Sequence, residues 1–255
     1  MSLRQIAAAR PAMAAILCAA AQFLLTVLIL KLGIAYAPPE AFGKVKLVAF
    51  ASTVILPLLL TQAFGMWKEV GFEMQKVRPA PIFMVSLLTG ALFLSMGVHA
   101  QGNGSFAGAL AMQFINAFGE ELLFRGVIFA LLLRLSKGRA IVLNGILFGS
   151  MHLIHGFMDG NWTTALSQAA VTSVAGMMFT AVRYGTGSLW LVIFLHMILN
   201  LCMIYSNIEP AAGPAALFVV QRLANVFEIA LAGYVIFHGT RSQGLGQDGG
   251  GAILR

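Results

Sequence analysis

The chain has 255 residues, of which 59% are hydrophobic and only 10% charged, with a mean hydropathy of +0.88. A soluble domain carries roughly 25% charged residues, so a water-solvated globule is excluded and the chain must be solvated largely by lipid. The net charge of +7 does not mark a nucleic-acid surface, because the basic residues lie singly in short loops and no basic run alternates with aromatics.

A membrane span needs about 20 mostly apolar residues. In chain order the candidates are 12–36, 47–67, 82–99, 106–133, 140–154, 163–182, 189–205 and 215–237. The fifth is short and the fourth long enough to be tilted. The first follows Arg4 and Arg10 and exceeds the apolar region of a signal peptide, so it reads as an uncleaved span. The expected fold is therefore all-α, a polytopic transmembrane helical bundle of about eight spans.

Lys and Arg mark the cytoplasmic side. With the N-terminus inside, eleven of the sixteen basic residues fall in inside segments: Arg4, Arg10, Lys68, Lys76, Arg78, Arg134, Lys137, Arg139, Arg183, Arg241 and Arg255. Only Lys31, Lys44 and Lys46 fall outside, and Arg125 and Arg222 lie within spans. Both termini are expected in the cytoplasm, and in a bacterium such a chain belongs in the inner membrane. Residues 1–240 read as one transmembrane domain and 241–255 as a Gly-rich tail, flexible by composition. Cys18 and Cys202 sit in apolar runs without disulfide or metal spacing.

An ionisable residue in mid-membrane costs several kcal/mol and marks function by default. The fourth span carries Asn116, Glu120, Glu121 and Arg125, the fifth Phe148 and His152, the seventh His196 and Asn200, and the eighth Arg222, Asn225 and Glu228. At about 1.5 Å per residue, Glu120 lies roughly 21 Å from the cytoplasmic Arg134, His152 about 20 Å from Arg139, and His196 and Asn200 about 14 and 20 Å beyond Gly187. Three helices thus bring a carboxylate, two imidazoles and an amide to a similar depth.

Helix geometry divides the labour. Glu121 and Arg125 are four apart in the favourable acid-first order, a buried pair that fixes the helix. Glu120 is about 140° from Arg125 around the helix, free to face its neighbours with Asn116 one turn away. Asn144, Phe148 and His152 form one stripe, and His196 and Asn200 can converge on one small target. Glu, two His and Asn suit hydrolysis: Glu120 hydrogen-bonded to His152 takes a proton from the attacking water, and His196 and Asn200 donate to the developing oxyanion. A zinc site of Glu120, His152 and His196 with an open water position is the alternative chemistry, and the residues leave both open.

These motifs resemble the CPBP family of intramembrane peptidases, which includes the Ras-converting CAAX endopeptidase and bacteriocin-processing or immunity relatives. Its Glu-Glu-x-x-x-Arg motif matches Glu120, Glu121 and Arg125; its Phe-x-x-x-His motif matches Phe148 and His152; its His-x-x-x-Asn/Asp motif matches His196 and Asn200. The resemblance covers roughly 106–200, within a motif-bearing core of 106–205. It implies a glutamic-type endopeptidase with Glu120 and His152 on the water, His196 and Asn200 as the oxyanion hole, and no resident cofactor unless the older zinc assignment holds. Its partners are then a peptide or protein substrate, membrane-anchored or free, and the lipid bilayer.

Blander readings stand beside these. Polar side chains also join membrane helices inertly, a carboxylate and imidazoles also serve a proton-coupled transporter, and an immunity or scaffold protein can keep the fold without the chemistry. His155 reads as interfacial, while Arg222 and Glu228 are six apart and expected to snorkel or meet another helix.

Overall fold

The computed structural model of the chain describes residues 3–73, 81–99 and 105–239. Lys76, Arg78, Arg241 and Arg255, four of the charges behind the expected topology, and the Gly-rich tail lie outside the described residues. Helices account for nearly all of the remainder: α1 (Leu3–Ala9), α2 (Pro11–Tyr36), α3 (Phe42–Phe64), α4 (Pro81–Phe93), α5 (Phe106–Glu121), a π-helical segment (Leu122–Ile128), α6 (Phe129–Leu132), α7 (Lys137–Ser150), a 3-10 turn (Met151–Leu153), α8 (Ile154–Asp159), α9 (Trp162–Thr186), α10 (Leu189–Ile204) and α11 (Ile208–His238). Among the described residues no strand forms beyond one isolated bridge, Val98 to Ser206. The all-α expectation holds.

Five helical stretches are long and apolar enough to cross a membrane: Pro11–Tyr36, Pro39–Phe64, Lys137–Asp159, Trp162–Thr186 and Ile208–His238. Pro81–Phe93 and Leu189–Ile204 are apolar but shorter, and the run from α5 through the π-segment to α6 is helically continuous. Large side chains such as Leu24, Leu28, Leu59, Val226 and Phe237 stand exposed along these helices. In water that surface would drive aggregation; against lipid tails it is the expected outer face.

Several expected boundaries move, each for a local reason. The short fifth span is lengthened by the 3-10 turn and α8 into a run of 23 residues, Lys137–Asp159. The third stops at Phe93 rather than 99, and the chain turns at Gly97 (φ 86°); the link after α10 packs there, Ser206 Oγ donating to the Phe93 carbonyl (2.7 Å) and Asn207 Nδ2 to that of Met96 (3.1 Å). The eighth span was read from 215. Helix α11 begins earlier, at Ile208, but breaks at Gly213 (φ 83°) ahead of Pro214, so the expected segment is the part beyond the kink. Between α9 and α10, Gly187 adopts φ 71° and ends one helix, and the Ser188 hydroxyl accepts from Leu191 N to start the next. That tight turn lets α10 fold back beside α9.

Helix α9 is the axis of the bundle, packing against α4, α7, α10, α11 and the π-segment, while α10 also lies along α5. Its approach to α7 depends on small residues. A Cβ on Gly145 would sit 2.5 Å from Met177 Cγ and 2.6 Å from the Ser173 carbonyl, one on Gly149 would overlap Ser173 Oγ and the Ala169 carbonyl, and one on Gly176 would sit 3.0 Å from Gly145 Cα. Gly145 and Gly149 form the small-x-x-x-small ridge that lets membrane helices come together without a hydrophobic driving force. Gly149→Val is therefore expected to push α7 off α9 and destabilise the protein by about 1–3 kcal/mol. Thermal unfolding in detergent checks this, and an unchanged midpoint would show that the ridge does not set the packing.

Candidate active site

The chain leaves ordinary α-helical geometry immediately after Glu120-Glu121, entering π geometry at Leu122. A π-turn bonds i to i+5 and recurs at functional sites, and here its loosened carbonyls are claimed by neighbours. The Phe124 carbonyl accepts from the Phe129 amide and also from Asn144 Nδ2 at 2.6 Å, and Asn144 Oδ1 in turn accepts from Thr180 Oγ1 at 2.9 Å. The Arg125 carbonyl accepts from Arg183 Nε at 3.2 Å. Side chains of α7 and α9 thus hold the distorted turn in place.

The distortion changes what the two glutamates do. Glu121 and Arg125 do pair, both fully buried, with Nη1 donating to Oε1 at 3.0 Å. Arg125 Nη2 donates to the Gly176 carbonyl at 3.0 Å, and its guanidinium lies 4.2 Å from the centre of the Phe148 ring. The same Glu121 oxygen, however, meets His196 Nδ1 at 2.7 Å. Glu121 was expected to do no more than fix the helix; it also orients an imidazole. Glu120 reaches the other edge of that ring, with Oε2 3.7 Å from His196 Nε2, and its side chain remains 26% exposed. One histidine, 4% exposed, thus stands between adjacent carboxylates.

Aromatic rings fix the imidazoles. His196 stacks on Phe179 at 5.0 Å between ring centres and meets the edge of Phe148 at 6.0 Å. His152, on the 3-10 turn, packs against the same Phe148 at 5.6 Å. Phe148 is therefore the partition between the two histidines. His152 makes no direct hydrogen bond to Glu120, but lies within electrostatic reach of Glu120, His155 and His196, and its Nδ1 is buried without a partner. Asn200 points its amide to α5, where Nδ2 donates to Gln113 Oε1 at 2.9 Å. Asn116, half-buried, makes no hydrogen bond among the described residues.

Three residues fall away from this cluster. His155 is exposed, Arg222 lies over Phe218 of its own helix at 5.1 Å, and Glu228 accepts from Asn225 Nδ2 at 3.0 Å within α11. Two partners were not foreseen. Gln113 lies seven residues before Glu120, on its face of the helix; a polar residue at that spacing in an apolar span was the signal. Arg183 had been counted as a loop charge but is fully buried, its Nη2 donating to the Glu69 carbonyl at 3.0 Å. Among the described residues no group of three or more His, Cys, Asp or Glu side chains is placed to hold a metal ion.

Fold and site together define an integral membrane protein, a helical bundle carrying an acid–imidazole cluster among its helices. Residues 102–202 match the family described as type II CAAX prenyl endopeptidase Rce1-like, and that segment spans α5 to α10 and every motif residue above. No curated protein matches the chain. Over those residues the chain is similar to the CAAX protease (CPBP) family, and the match supports the resemblance read from its motifs.

Proposed function

We propose that this protein is an intramembrane endopeptidase hydrolysing a peptide bond with a water activated at Glu120, within a bundle of eight spans whose termini are both cytoplasmic. The observation that carries the chemistry is the array Glu121–His196–Glu120, an imidazole addressed by a carboxylate at each nitrogen. Glu121 pairs with Arg125 and meets His196 Nδ1 at 2.7 Å, and these contacts hold the ring. Its Nε2 is thereby aimed at the Glu120 side of the site.

In the reaction, Glu120 takes a proton as the water oxygen bonds to the peptide carbonyl carbon. His152, across Phe148, holds the water from the other side. The carbonyl π-electrons move to oxygen, where His196 Nε2–H and the Asn200 amide receive the negative charge. Collapse of the tetrahedral species breaks the C–N bond, and the proton held by Glu120 passes to the departing amine.

The eight-span topology rests on the five long helices, the two shorter apolar ones, the continuous α5–α6 run and the one-sided distribution of basic residues. The family description directs the substrate reading to peptides ending in a CAAX sequence. The test uses purified protein in liposomes with internally quenched CAAX peptides, one farnesylated and one bare. Cleavage of either, abolished by His152→Ala, is the expected result. Proton flux across the vesicles without cleavage of either peptide would overturn the reading.

A further inference from the structure

We infer that Gln113 is a positioning residue that clamps Asn200, so that helix α5 carries both the base and the part that aims an oxyanion donor. The inference deepens the peptidase reading and rests on it for its catalytic consequence. An Asn side chain presents a donor at one corner and an acceptor at the other, and rotation about its last torsion exchanges them at little energetic expense. A free amide would therefore offer the wrong atom to a developing negative charge much of the time. In this site Asn200 is not free: Gln113 Oε1 accepts one Nδ2 hydrogen at 2.9 Å. That contact fixes the amide plane and leaves the second Nδ2 hydrogen unspent.

The placement of Gln113 gives the clamp its meaning. Seven residues before Glu120, it lies within about 20° of that residue around an ideal helix, with Asn116 between them. The helix register of α5 therefore sets the distance between the group that takes the proton and the group that aims the donor. His196, one turn before Asn200 on α10, is tied to the same helix through Glu121. Both donors from α10 are thus indexed to α5 by separate hydrogen bonds. No other hydrogen bond to the Asn200 side chain forms among the described residues, so Gln113 alone performs this alignment for it.

The experiment compares wild type, Gln113→Leu, Gln113→Glu and Asn200→Leu, with Gln113→Leu/Asn200→Leu to close the cycle, on the quenched CAAX peptides. Loss of the acceptor in Gln113→Leu is expected to lower kcat by about tenfold to a hundredfold, the scale of a misplaced catalytic group, with KM within about twofold. Gln113→Glu keeps the acceptor and restores most of the rate. In the Asn200→Leu background, Gln113→Leu has no further effect. A purely structural role predicts instead additive losses, no rescue by Glu and a lowered unfolding midpoint.

A second readout does not depend on cleavage. In protein labelled with 15N-asparagine, the side-chain amide resonance of Asn200, identified by its disappearance in Asn200→Leu, shifts in Gln113→Leu and not in Gln113→Glu. A resonance unmoved by Gln113→Leu, or wild-type kcat in that variant, overturns the clamp. If the wild type cleaves neither peptide the proposed function fails, and the resonance alone decides whether the clamp exists.

Discussion

Glu120→Gln is expected to reduce kcat on a cleaved CAAX peptide by about 10³-fold, within the 10²–10⁴-fold range of general acid–base catalysis, while the protein unfolds at its normal temperature. Gln keeps the volume and hydrogen-bonding shape of Glu but cannot take a proton from water. The fold is expected to tolerate the exchange because Glu120 is 26% exposed and its one charged contact, to His196 Nε2, is 3.7 Å long. No buried charge is left unpaired by the change. KM should move little, since the proposed role of the carboxylate is on the water rather than on the bound peptide. Single-turnover kinetics beside a thermal melt measure both halves of the expectation. A variant that folds and cleaves at the wild-type rate would remove Glu120 from the base role and leave His152 as the one remaining candidate.

What could be read from the residues was the set of participants; what could not was their mutual geometry. Apolar runs and embedded charges are compositional, so the all-helical membrane fold was accessible from sequence, as were Glu120, Glu121, Arg125, Phe148, His152, His196 and Asn200 as candidates for one site. The π-turn was not, because Gly126, Val127 and Ile128 weaken an α-helix in Leu122–Ile128 without specifying π geometry. Its partners come from elsewhere in the chain, with Asn144 and Arg183 donating to the Phe124 and Arg125 carbonyls. An ideal helix separates Glu120 and Glu121 by about 100°, which argued for giving them unrelated tasks. Instead both meet His196, at opposite ring nitrogens.

Arg183 teaches the same lesson from the other direction. Its position near a span end is what charge-counting assigns to a cytoplasmic loop, yet its side chain turns inward and bonds backbone on both the π-segment and the loop at Glu69. Gly71 admits it: a Cβ there would overlap the guanidinium. The pattern that reveals such a residue is tertiary, a glycine on one segment facing a cation on another, and a linear reading cannot see it. Asn200 is intermediate between these cases. Its membership of the site followed from the His-x-x-x-Asn spacing, while its partner Gln113 lay on another helix.

The largest loss of stability is expected from Glu121→Ala. Arg125 is fully buried, and Glu121 is its carboxylate partner; without it the guanidinium retains the Gly176 carbonyl and the Phe148 face but loses the carboxylate it contacts. Removing one partner of a buried pair costs about 3–5 kcal/mol, a large share of the roughly 5–15 kcal/mol that holds a protein folded. Low yield and a strongly lowered melting temperature should follow. Replacing both residues, as in Glu121→Gln with Arg125→Met, should recover much of that loss, because no unpaired charge then stays buried. The double variant should nevertheless remain a poor enzyme. His196 Nδ1 would face an uncharged amide where Glu121 Oε1 now sits at 2.7 Å, which weakens the hold on the ring. Stability and activity are thus expected to separate in this one variant. Thermal melts and kcat measured on the same preparation would reveal the separation, and recovery of both together would reduce Glu121 to the helix-fixing ion pair that its spacing from Arg125 first suggested.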